Sequence, residues 1–465
     1  MNQAYMKEKP VFPLLTSMAL PMMLSMLVGS LYNIIDSYFV AKISEASMTA
    51  LSLVFPVQNL INAVSVGFAI GINSAVAFYL GAGKQGNADT AATVGILLSG
   101  VHGFLLTAAG LWLMPGFLRL FTADEAILEM GLQYSNIVLL FTLPNVIAIS
   151  FEKIFQAVGK MTVSMVSMMC GCVTNIILDP FLIFGIGFFP ALGIKGAAIA
   201  TVLSQLASCL FVLRFLFGPI PPLRITFGGY SLRTMLRILL TGLTPFVIIA
   251  VDNMMIIALN AVLQRYGGPE QGDLLVAAAT VAQSFMLVVT MPLDGIAAGT
   301  ASILGYNLGA GQPKRILEAQ KYTLLLSLAY TTTLCLMGLL LAAPFTHIFT
   351  PDPQISALAV TVIRIFSIGV IPLAVQYTIV EGLNGMGMMQ FSLPLSFFRK
   401  AVYFAALFTL PATFGAASTF WAEPISDLIP PLVTALFYWR KLGWIQEQAL
   451  SHRTAQDSSN VSITH

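Results

Sequence analysis

Long apolar stretches, separated by short polar connections, run along almost the whole chain. Each stretch is about as long as the roughly 20 residues that an α-helix needs to cross a bilayer, or longer. Apolar runs and turn signals together predict twelve helices. Their approximate ranges are 14–41, 48–80, 92–114, 134–158, 162–184, 193–217, 235–262, 274–308, 320–343, 356–386, 391–413 and 417–439. The predicted fold is therefore an all-α integral membrane protein with twelve transmembrane helices.

Composition supports this prediction. Of the 465 residues, 57% are hydrophobic and only 9% are charged, whereas a soluble protein has about 25% charged residues. The first apolar stretch is too long for the core of a signal peptide and has no clear cleavage site, so we expect it to be retained as a transmembrane helix. The 4 cysteines all fall in apolar stretches, where packing is a more natural role than metal binding or disulfide formation.

Lys and Arg are distributed unevenly among the connections. With the N-terminus in the cytoplasm, 14 of the 22 lie in inside segments, 5 lie outside and 3 lie within spans. The positive-inside rule then predicts a multi-pass protein of the cell membrane with both termini cytoplasmic. We expect the lipid bilayer to surround it, no nucleic acid to bind it, and the chain to be a monomer.

An internal repeat is visible at a fixed offset of 228 residues. It pairs Leu80–Gly83 with Leu308–Gly311, Gly67 with Gly295, Gly71 with Gly299, Phe121–Thr122 with Phe349–Thr350, Asp124 with Asp352, Pro144 with Pro372 and Gly159 with Gly387. Six helices per repeat is an even number, so the halves should form two six-helix bundles related by a pseudo-two-fold axis along the membrane normal. We predict an N-lobe over 1–222, a C-lobe over 223–441 and a polar cytoplasmic tail over 442–465.

The sequence lacks the motifs of an enzyme. It contains no HExxH, no GxSxG and no cysteine pair with the spacing of a zinc site. We therefore expect no catalytic activity and no cofactor. What remains is a set of acids within apolar helices, namely Asp36, Glu152, Asp179, Asp252, Asp294, Glu381 and Asp427.

A carboxylate within a membrane span costs about 2.5–3.5 kcal/mol on insertion scales, so each acid needs a partner, a ligand or a cycle of charging and discharging. The plainest interpretation of each is a structural hydrogen bond, and Asp252, Asp294 and Asp427 are evenly balanced between that and a function. Glu152 can form an interfacial pair with the neighbouring Lys153. Two bases within a span, Arg399 and Lys400, can neutralise an acid such as Glu381 or reach the interface.

Asp36 and Asp179 differ from the other acids, because both predicted helices run outward and place them at similar depth. Asn175 lies one turn before Asp179 on the same helix face, and Tyr32 lies one turn before Asp36. Thr201 in the sixth predicted helix is a further candidate partner. Two close carboxylates cannot both stay ionised cheaply at low dielectric, which suits a proton carrier. The same oxygens, with Asn175 and Thr201, can instead ligate Na⁺.

Pro21 lies in the middle of the first predicted helix. Proline removes a backbone hydrogen bond and creates a bend point. We therefore interpret Pro21 as a hinge that can couple the state of Asp36 to the shape of a cavity.

These residues resemble those of a known family, the multidrug and toxic compound extrusion (MATE) transporters. The resemblance covers all twelve predicted helices. It rests on Pro21, Tyr32–Asp36 (YNIID), Gly81–Gly83, Asn175–Pro180 (NIILDP), Gly193–Thr201 and Trp421 with Asp427. The NIILDP motif is the most specific of these, and the chain is most similar to the bacterial and archaeal branch with paired acids in the N-lobe.

The resemblance implies that Asp36, Asn175 and Asp179 form the site linked to ion coupling and substrate, with Thr201 as a fourth member. Another branch of the family uses a Glu in the seventh helix and an Asp in the tenth. Asp252 and Glu381 stand on those helices here, and with Asp294 they mark a candidate C-lobe cavity. The 228-residue offset from Asp179 leads to Leu407, so the second half has no copy of the N-lobe site.

The function that we predict is secondary antiport by alternating access. The chain would export amphipathic, mostly cationic organic compounds, including drugs and antibiotics, in exchange for H⁺ or Na⁺. A lipid-linked oligosaccharide flippase of the same superfamily is the alternative, and a cavity lined by several Arg and Lys would favour it. A membrane-embedded enzyme and a channel are disfavoured by the missing catalytic residues and by the two-bundle repeat, respectively.

Overall fold

The computed structural model describes residues 5–122, 124–187, 189–216, 223–226 and 228–461. Within these ranges all the regular secondary structure is helical. The α-helices are α1 Tyr5–Glu8, α2 Val11–Ala41, α3 Glu45–Gly81, α4 Gln85–Arg119, α5 Glu125–Leu140, α6 Thr142–Ala157, α7 Met161–Phe184, α8 Ile194–Leu216, α9 Leu232–Gly309, α10 Pro313–Leu340, α11 Ala342–Phe349, α12 Pro353–Gly385, α13 Met389–Phe414 and α14 Ala422–Val461. A 3₁₀ helix at Ala416–Trp421 precedes α14.

The helices match the membrane spans expected from the sequence. Ten helices in the described part of the chain are long and apolar enough to cross a bilayer, and the pair α5 and α6, bent by 48°, makes an eleventh. The helix α9 contains two of the ten, because Gly268 at φ 65° interrupts its helical backbone. The helix α14 covers the last predicted span. The all-α membrane fold predicted from the sequence is therefore confirmed.

The chain divides into two compact units. The first unit contains Leu24–Ile249, and the second contains Tyr5–Met23 together with the chain from Ala250 onward. Both boundaries fall inside helices, α2 and α9, so one end of each helix belongs to each unit. The lobe border predicted at residue 222 lies outside the described residues. The segment predicted as a polar tail from residue 442 continues α14 as far as Val461.

Helix crossings on glycine build both units. In the first unit, a Cβ placed on Gly67 of α3 would lie 2.7 Å from the Gly242 carbonyl oxygen of α9. In the second unit, a Cβ on Gly295 of α9 would lie 2.7 Å from the Met22 carbonyl oxygen of α2. No side chain fits at such distances, so glycine is required at both crossings. Because Gly67 and Gly295 are partners in the 228-residue repeat, the repeat extends to helix packing.

The repeat also appears in the local structure of the helix ends. Asp124 caps α5 by accepting the backbone N–H of Ala126 at 2.8 Å, and its repeat partner Asp352 caps α12 by accepting that of Gln354 at 2.7 Å. Gly83 and Gly311, which end the two LGAG segments, adopt left-handed φ angles of 70° and 65°. Glycine has no Cβ to clash in that region, which explains its presence at both positions.

Each unit has its own apolar core. The core of the first unit includes Val54 and Leu118, and that of the second includes Leu263, Phe366 and Phe420. Large apolar side chains also remain exposed on many helices, among them Trp112 at 81%. Apolar surface of this kind is what a protein surrounded by lipid presents, because its helices face hydrocarbon rather than water.

Candidate functional site

The acid and the amide of the NIILDP motif are both buried on one face of α7. Asp179 and Asn175 each have no exposed surface. With its amide nitrogen turned toward Asp179, Asn175 donates to Asp179 Oδ2 at 2.7 Å, and its oxygen accepts the Thr201 backbone N–H of α8 at 3.2 Å. Asp179 Oδ1 is buried and accepts no hydrogen bond from any residue that the structure describes. The site therefore leaves one carboxylate oxygen of Asp179 free for a proton or a cation.

Asp36 brings a second carboxyl group to this site from α2. It lies close enough to Asp179 for the two side chains to share a hydrogen bond, which requires one of them to carry a proton. Tyr32, one turn earlier on α2, lies within electrostatic reach of both acids. The structure thus brings together Asp36, Asn175, Asp179 and Tyr32, as the sequence analysis expected, with Thr201 beside them.

Two polar residues of this cluster were missed in the sequence analysis. The hydroxyl of Tyr134 on α5 hydrogen-bonds to the side chains of Gln58 on α3 and Thr201 on α8. Tyr134 also feels the charges of Asp36 and Asp179. The available signal was a polar side chain inside an apolar helix, which many other positions share. Five helices of the first unit, α2, α3, α5, α7 and α8, therefore contribute polar groups to the neighbourhood of the acid pair.

The candidate metal ligands fit Na⁺ only after a rearrangement. The Asn175 oxygen is occupied by the Thr201 backbone N–H, and the Thr201 hydroxyl donates to the Ala197 carbonyl at 3.0 Å. A Na⁺ ion held by Asn175 would require its amide to turn over. Among the described residues there is no group of three or more His, Cys, Asp or Glu that could hold a metal ion.

A second cluster of charges lies in the second unit. Arg399 on α13 donates from Nε to Asp427 Oδ1 at 2.8 Å and reaches Glu423 Oε1 with Nη2 at 3.3 Å, both on α14. The next residue, Lys400, forms an ion pair with Asp252 of α9. We expected these two bases to neutralise an acid such as Glu381 or to reach the interface. They instead pair with three other acids.

The remaining candidate acids of the C-lobe lie near this cluster. The Tyr377 hydroxyl of α12 lies within electrostatic reach of Asp294, Glu381, Arg399 and Asp427. Glu381 also accepts the Asn384 amide at 3.2 Å. Asp252, Asp294 and Glu381 therefore belong to one charged region of the second unit, in which acids outnumber bases.

Pro21 and Glu152 lie outside both clusters. The helix α2 continues through Pro21, and the change from the second unit to the first occurs just after it, between Met23 and Leu24. That position leaves the hinge interpretation of Pro21 as a prediction. Glu152 of α6 accepts the Ser167 hydroxyl of α7 at 2.6 Å, and Lys153 donates to Gln156 at 3.0 Å.

Comparison with known proteins identifies related chains and folds. The MatE family model matches residues 21–181 and 246–425. The chain is 24% identical over 431 residues to the multidrug export protein MepA of Staphylococcus haemolyticus, covering 91% of this chain and 92% of the relative. It is 22% identical over 443 residues to MepA of Staphylococcus aureus strain MSSA476, covering 94% and 95%. A solved structure described as the outward-facing conformation of a multidrug resistance MATE family transporter superposes with a TM-score of 0.90 at 24% identity, covering 96% and 99%.

Proposed function

Because the chain belongs to the MatE family of membrane transporters, which are not enzymes, we propose that it is an antiporter for amphipathic organic cations. MATE transporters are ion-coupled and need no cofactor. The relatives named as multidrug export proteins support a range of small-molecule substrates that includes drugs. Export would proceed by alternating access, in exchange for H⁺ or Na⁺ entering from outside.

The pair of acids Asp36 and Asp179 is the observation that carries this proposal. Both lie on apolar helices, and Asp179 is fully buried. Two adjacent carboxyl groups at low dielectric are stable with one proton or one bound cation between them, and unstable with two free negative charges. A site of this kind must take up a cation on one side of the membrane before it can become accessible from the other side. That requirement is what couples ion entry to substrate export.

A proton is the coupling ion that the arrangement favours. Asn175 donates to Asp179 and so competes with a metal ion for the same carboxylate. A proton on Asp179 would be donated to Asp36 without any change in Asn175. Na⁺ coupling remains the alternative, with Asp36, Asn175, Asp179 and Thr201 as ligands after the amide turns over.

The distribution of Lys and Arg supports a plasma-membrane location with both termini in the cytoplasm. In this orientation the acid pair lies in the outer half of the first unit, since α2 and α7 both run outward. Ions arriving from outside would then reach the pair over a short distance. We take the monomer as the functional unit, because each unit contributes its own charged cluster from a single chain.

A flippase for lipid-linked oligosaccharides is less well supported. Such a substrate carries phosphate, which unpaired Arg and Lys would recognise. Of the three bases within the spans, Lys153 donates to the Gln156 side chain at 3.0 Å, and Arg399 and Lys400 are both paired with acids. The charges of Arg399 and Lys400 are therefore already compensated.

The test is dye export from proteoliposomes containing the purified protein, with a pH gradient and a Na⁺ gradient imposed separately. We expect a pH gradient alone to drive export of ethidium by the wild type. Asp36→Asn and Asp179→Asn should each abolish coupled export while the protein still purifies as a single species. Export driven only by a Na⁺ gradient would show that the proton is not the coupling ion, and the proposal of antiport would stand.

The matched control is Asp273→Asn, which removes an exposed carboxylate that accepts the Gln264 amide at 2.7 Å. It should export at the wild-type rate. Wild-type export by the double variant Asp36→Asn/Asp179→Asn would overturn the proposed role of the acid pair.

A further inference from the structure

Arg399 and Lys400 are neighbours on α13 but hold different partners. Successive helical residues point about 100° apart, so Arg399 faces α14 and Lys400 faces α9. The Arg399 side chain is 9% exposed and its partner Asp427 is fully buried, which makes a closed pair. The Lys400 side chain is 6% exposed, yet its partner Asp252 is 44% exposed. The second pair is therefore open on the acid side only.

The open side of Asp252 lies near the middle of an apolar span, Leu232–Pro269. A carboxylate facing lipid at that depth is expensive, so acids at such positions face a polar space or a protein interior. The exposed side of Asp252 should therefore face a polar space rather than lipid, while Lys400 neutralises the carboxylate from the protein side. The pair has the form of an acidic binding group with a cation already attached to it.

Lys400 has other acids within reach if it leaves Asp252. Its ammonium group lies within electrostatic reach of Glu423 and Asp427 on α14. Asp427 uses Oδ1 for Arg399, and its Oδ2 is buried without a hydrogen bond from any described residue. A lysine side chain has a flexible four-carbon stem and a compact charge. Its ammonium group can therefore move from Asp252 toward the α14 acids without being left unpaired in the protein interior.

We propose that Lys400 is a built-in competitor for the transported cation, bound to Asp252 when the site is empty and displaced when the cationic centre of a substrate binds there. This inference rests on the proposed function and deepens it, because it names the recognition group and the means of release. Binding of the substrate to Asp252 moves Lys400 toward Glu423 and Asp427. The return of Lys400 to Asp252 then expels the substrate.

Such a competitor lowers the affinity and speeds the release. An exporter benefits from both, because tightly bound substrate would leave slowly. A variant without the Lys400 charge should therefore bind a monovalent organic cation more tightly and release it more slowly. A merely structural ion pair predicts the opposite, since its loss would disorder the site and weaken binding.

The experiment measures binding of tetraphenylphosphonium to the full chain in lipid nanodiscs by equilibrium dialysis. We expect Lys400→Met to lower Kd at least tenfold, about 1.4 kcal/mol, and Lys400→Arg to stay within about twofold of the wild type. In proteoliposomes, Lys400→Met should lower both KM and the maximal rate. The control Lys441→Met removes a lysine that stacks on Phe391, and should change neither quantity.

Two further variants keep the proposal open to refutation even if Lys400→Met is unstable. Asp252→Asn combined with Lys400→Met should lose the gain in affinity. The exchange Asp252→Lys/Lys400→Asp keeps an ion pair but places the ammonium on the open side, and should raise Kd at least tenfold. Wild-type affinity in the exchanged variant would overturn the proposal.

Failure of the proposed role of Lys400 and failure of the proposed antiport function give different experimental results. A wild-type protein that neither binds nor exports tetraphenylphosphonium would reject cation export itself. Normal wild-type export with an unchanged or higher Kd in a folded Lys400→Met protein would reject only the role of Lys400. A Lys400→Met protein that gains affinity for Na⁺ but not for the organic cation would likewise reject it.

Discussion

The buried ion pair between Arg399 and Asp427 allows a quantitative test of how the second unit is held together. Two nitrogens of the Arg399 guanidinium, Nε and Nη2, contact Asp427 Oδ1 at 2.8 Å and 2.6 Å. Asp427→Asn keeps the shape of the side chain and removes its charge. Among the described residues, Glu423, at 3.3 Å, is then the acid left in an ion pair with the guanidinium.

The cost follows from the burial of the two partners. Breaking a buried pair by removing one charge costs about 3–5 kcal/mol, because the other charge stays behind in low dielectric. The asparagine oxygen still accepts one hydrogen bond and Glu423 still supplies a negative charge, so we expect a loss near the lower limit, about 3 kcal/mol. Glu423→Gln should cost about 1 kcal/mol or less, since Glu423 is 19% exposed and its contact is longer.

The assay is reversible unfolding in mixed detergent micelles, followed by tryptophan fluorescence. A second comparison uses Arg399→Met/Asp427→Leu, which removes both charges and should be less destabilising than Asp427→Asn alone. If Glu423→Gln is as costly as Asp427→Asn, or if the double variant is worse than the single one, the pair does not hold α13 to α14 in the way described.

Helix crossings, helix caps and the hydroxyl of Tyr134 can each be tested by substitution. Gly299→Ala should destabilise the protein by about 2 kcal/mol or more, because its Cβ would lie 2.6 Å from a backbone Cα of α2. Gly100→Ala, with nothing within 4 Å of its Cβ, should be neutral or stabilise by up to about 1 kcal/mol. Equal melting temperatures for the two variants would contradict the close packing of α9 on α2 at Gly299. Asp124→Ala and Asp352→Ala should each cost about 1 kcal/mol of unfolding free energy, and a twofold difference between them would show that the two repeats do not cap their helices equally. Tyr134→Phe should slow pH-driven dye export several-fold without loss of protein in the membrane, and an unchanged rate would remove Tyr134 from the site.

The fold could be predicted from the sequence because its signals are local and repeated. Apolar runs longer than a bilayer is thick specify the spans, and a 228-residue offset links the two halves. Asp124 and Asp352 illustrate how well this works, since the same residue at the same place in each repeat makes the same cap. A cap depends only on the next three residues, so the sequence carries all of the information that it needs.

The acid pair could be anticipated for a related reason. Asn175 and Asp179 are one helical turn apart, and the cost of a buried carboxylate demands a partner. Tyr134 could not be anticipated, because its contacts with Gln58 and Thr201 join three helices that are distant in the sequence. Nothing in the local pattern around Tyr134 distinguishes it from a tyrosine that packs in the core.

The ion pairs of the second unit were beyond local reasoning as well. Lys400 and Asp252 are separated by 148 positions, and their contact depends on how α9 and α13 pack. From the sequence, both bases could neutralise an acid such as Glu381 or reach the interface, and Glu423, one of the partners of Arg399, was not among the seven candidate acids. A sequence shows that a charge within a membrane span needs a partner of opposite sign, whereas which residue becomes that partner depends on how the helices pack.

The 228-residue repeat allows the charged positions of the two units to be compared residue by residue. The offset of 228 aligns α7 with α13, so that Asp179 corresponds to Leu407, which is fully buried, while Arg399 and Lys400 correspond to Gly171 and Cys172. One helix of the pair thus carries an acid with a free oxygen, and the other carries two bases that are both occupied.

This asymmetry argues against interchangeable roles for the two units. A pair of acids without a base can gain a cation and so lose one negative charge, which suits ion coupling. An acid that already holds a lysine can gain a cation only by exchange, which suits reversible recognition of a charged substrate. In the function proposed above, substitutions at Asp36 or Asp179 should therefore change how export depends on the ion gradient, whereas substitutions at Lys400 should change how export depends on substrate concentration. A Lys400 variant that altered only the gradient dependence would contradict this division of roles.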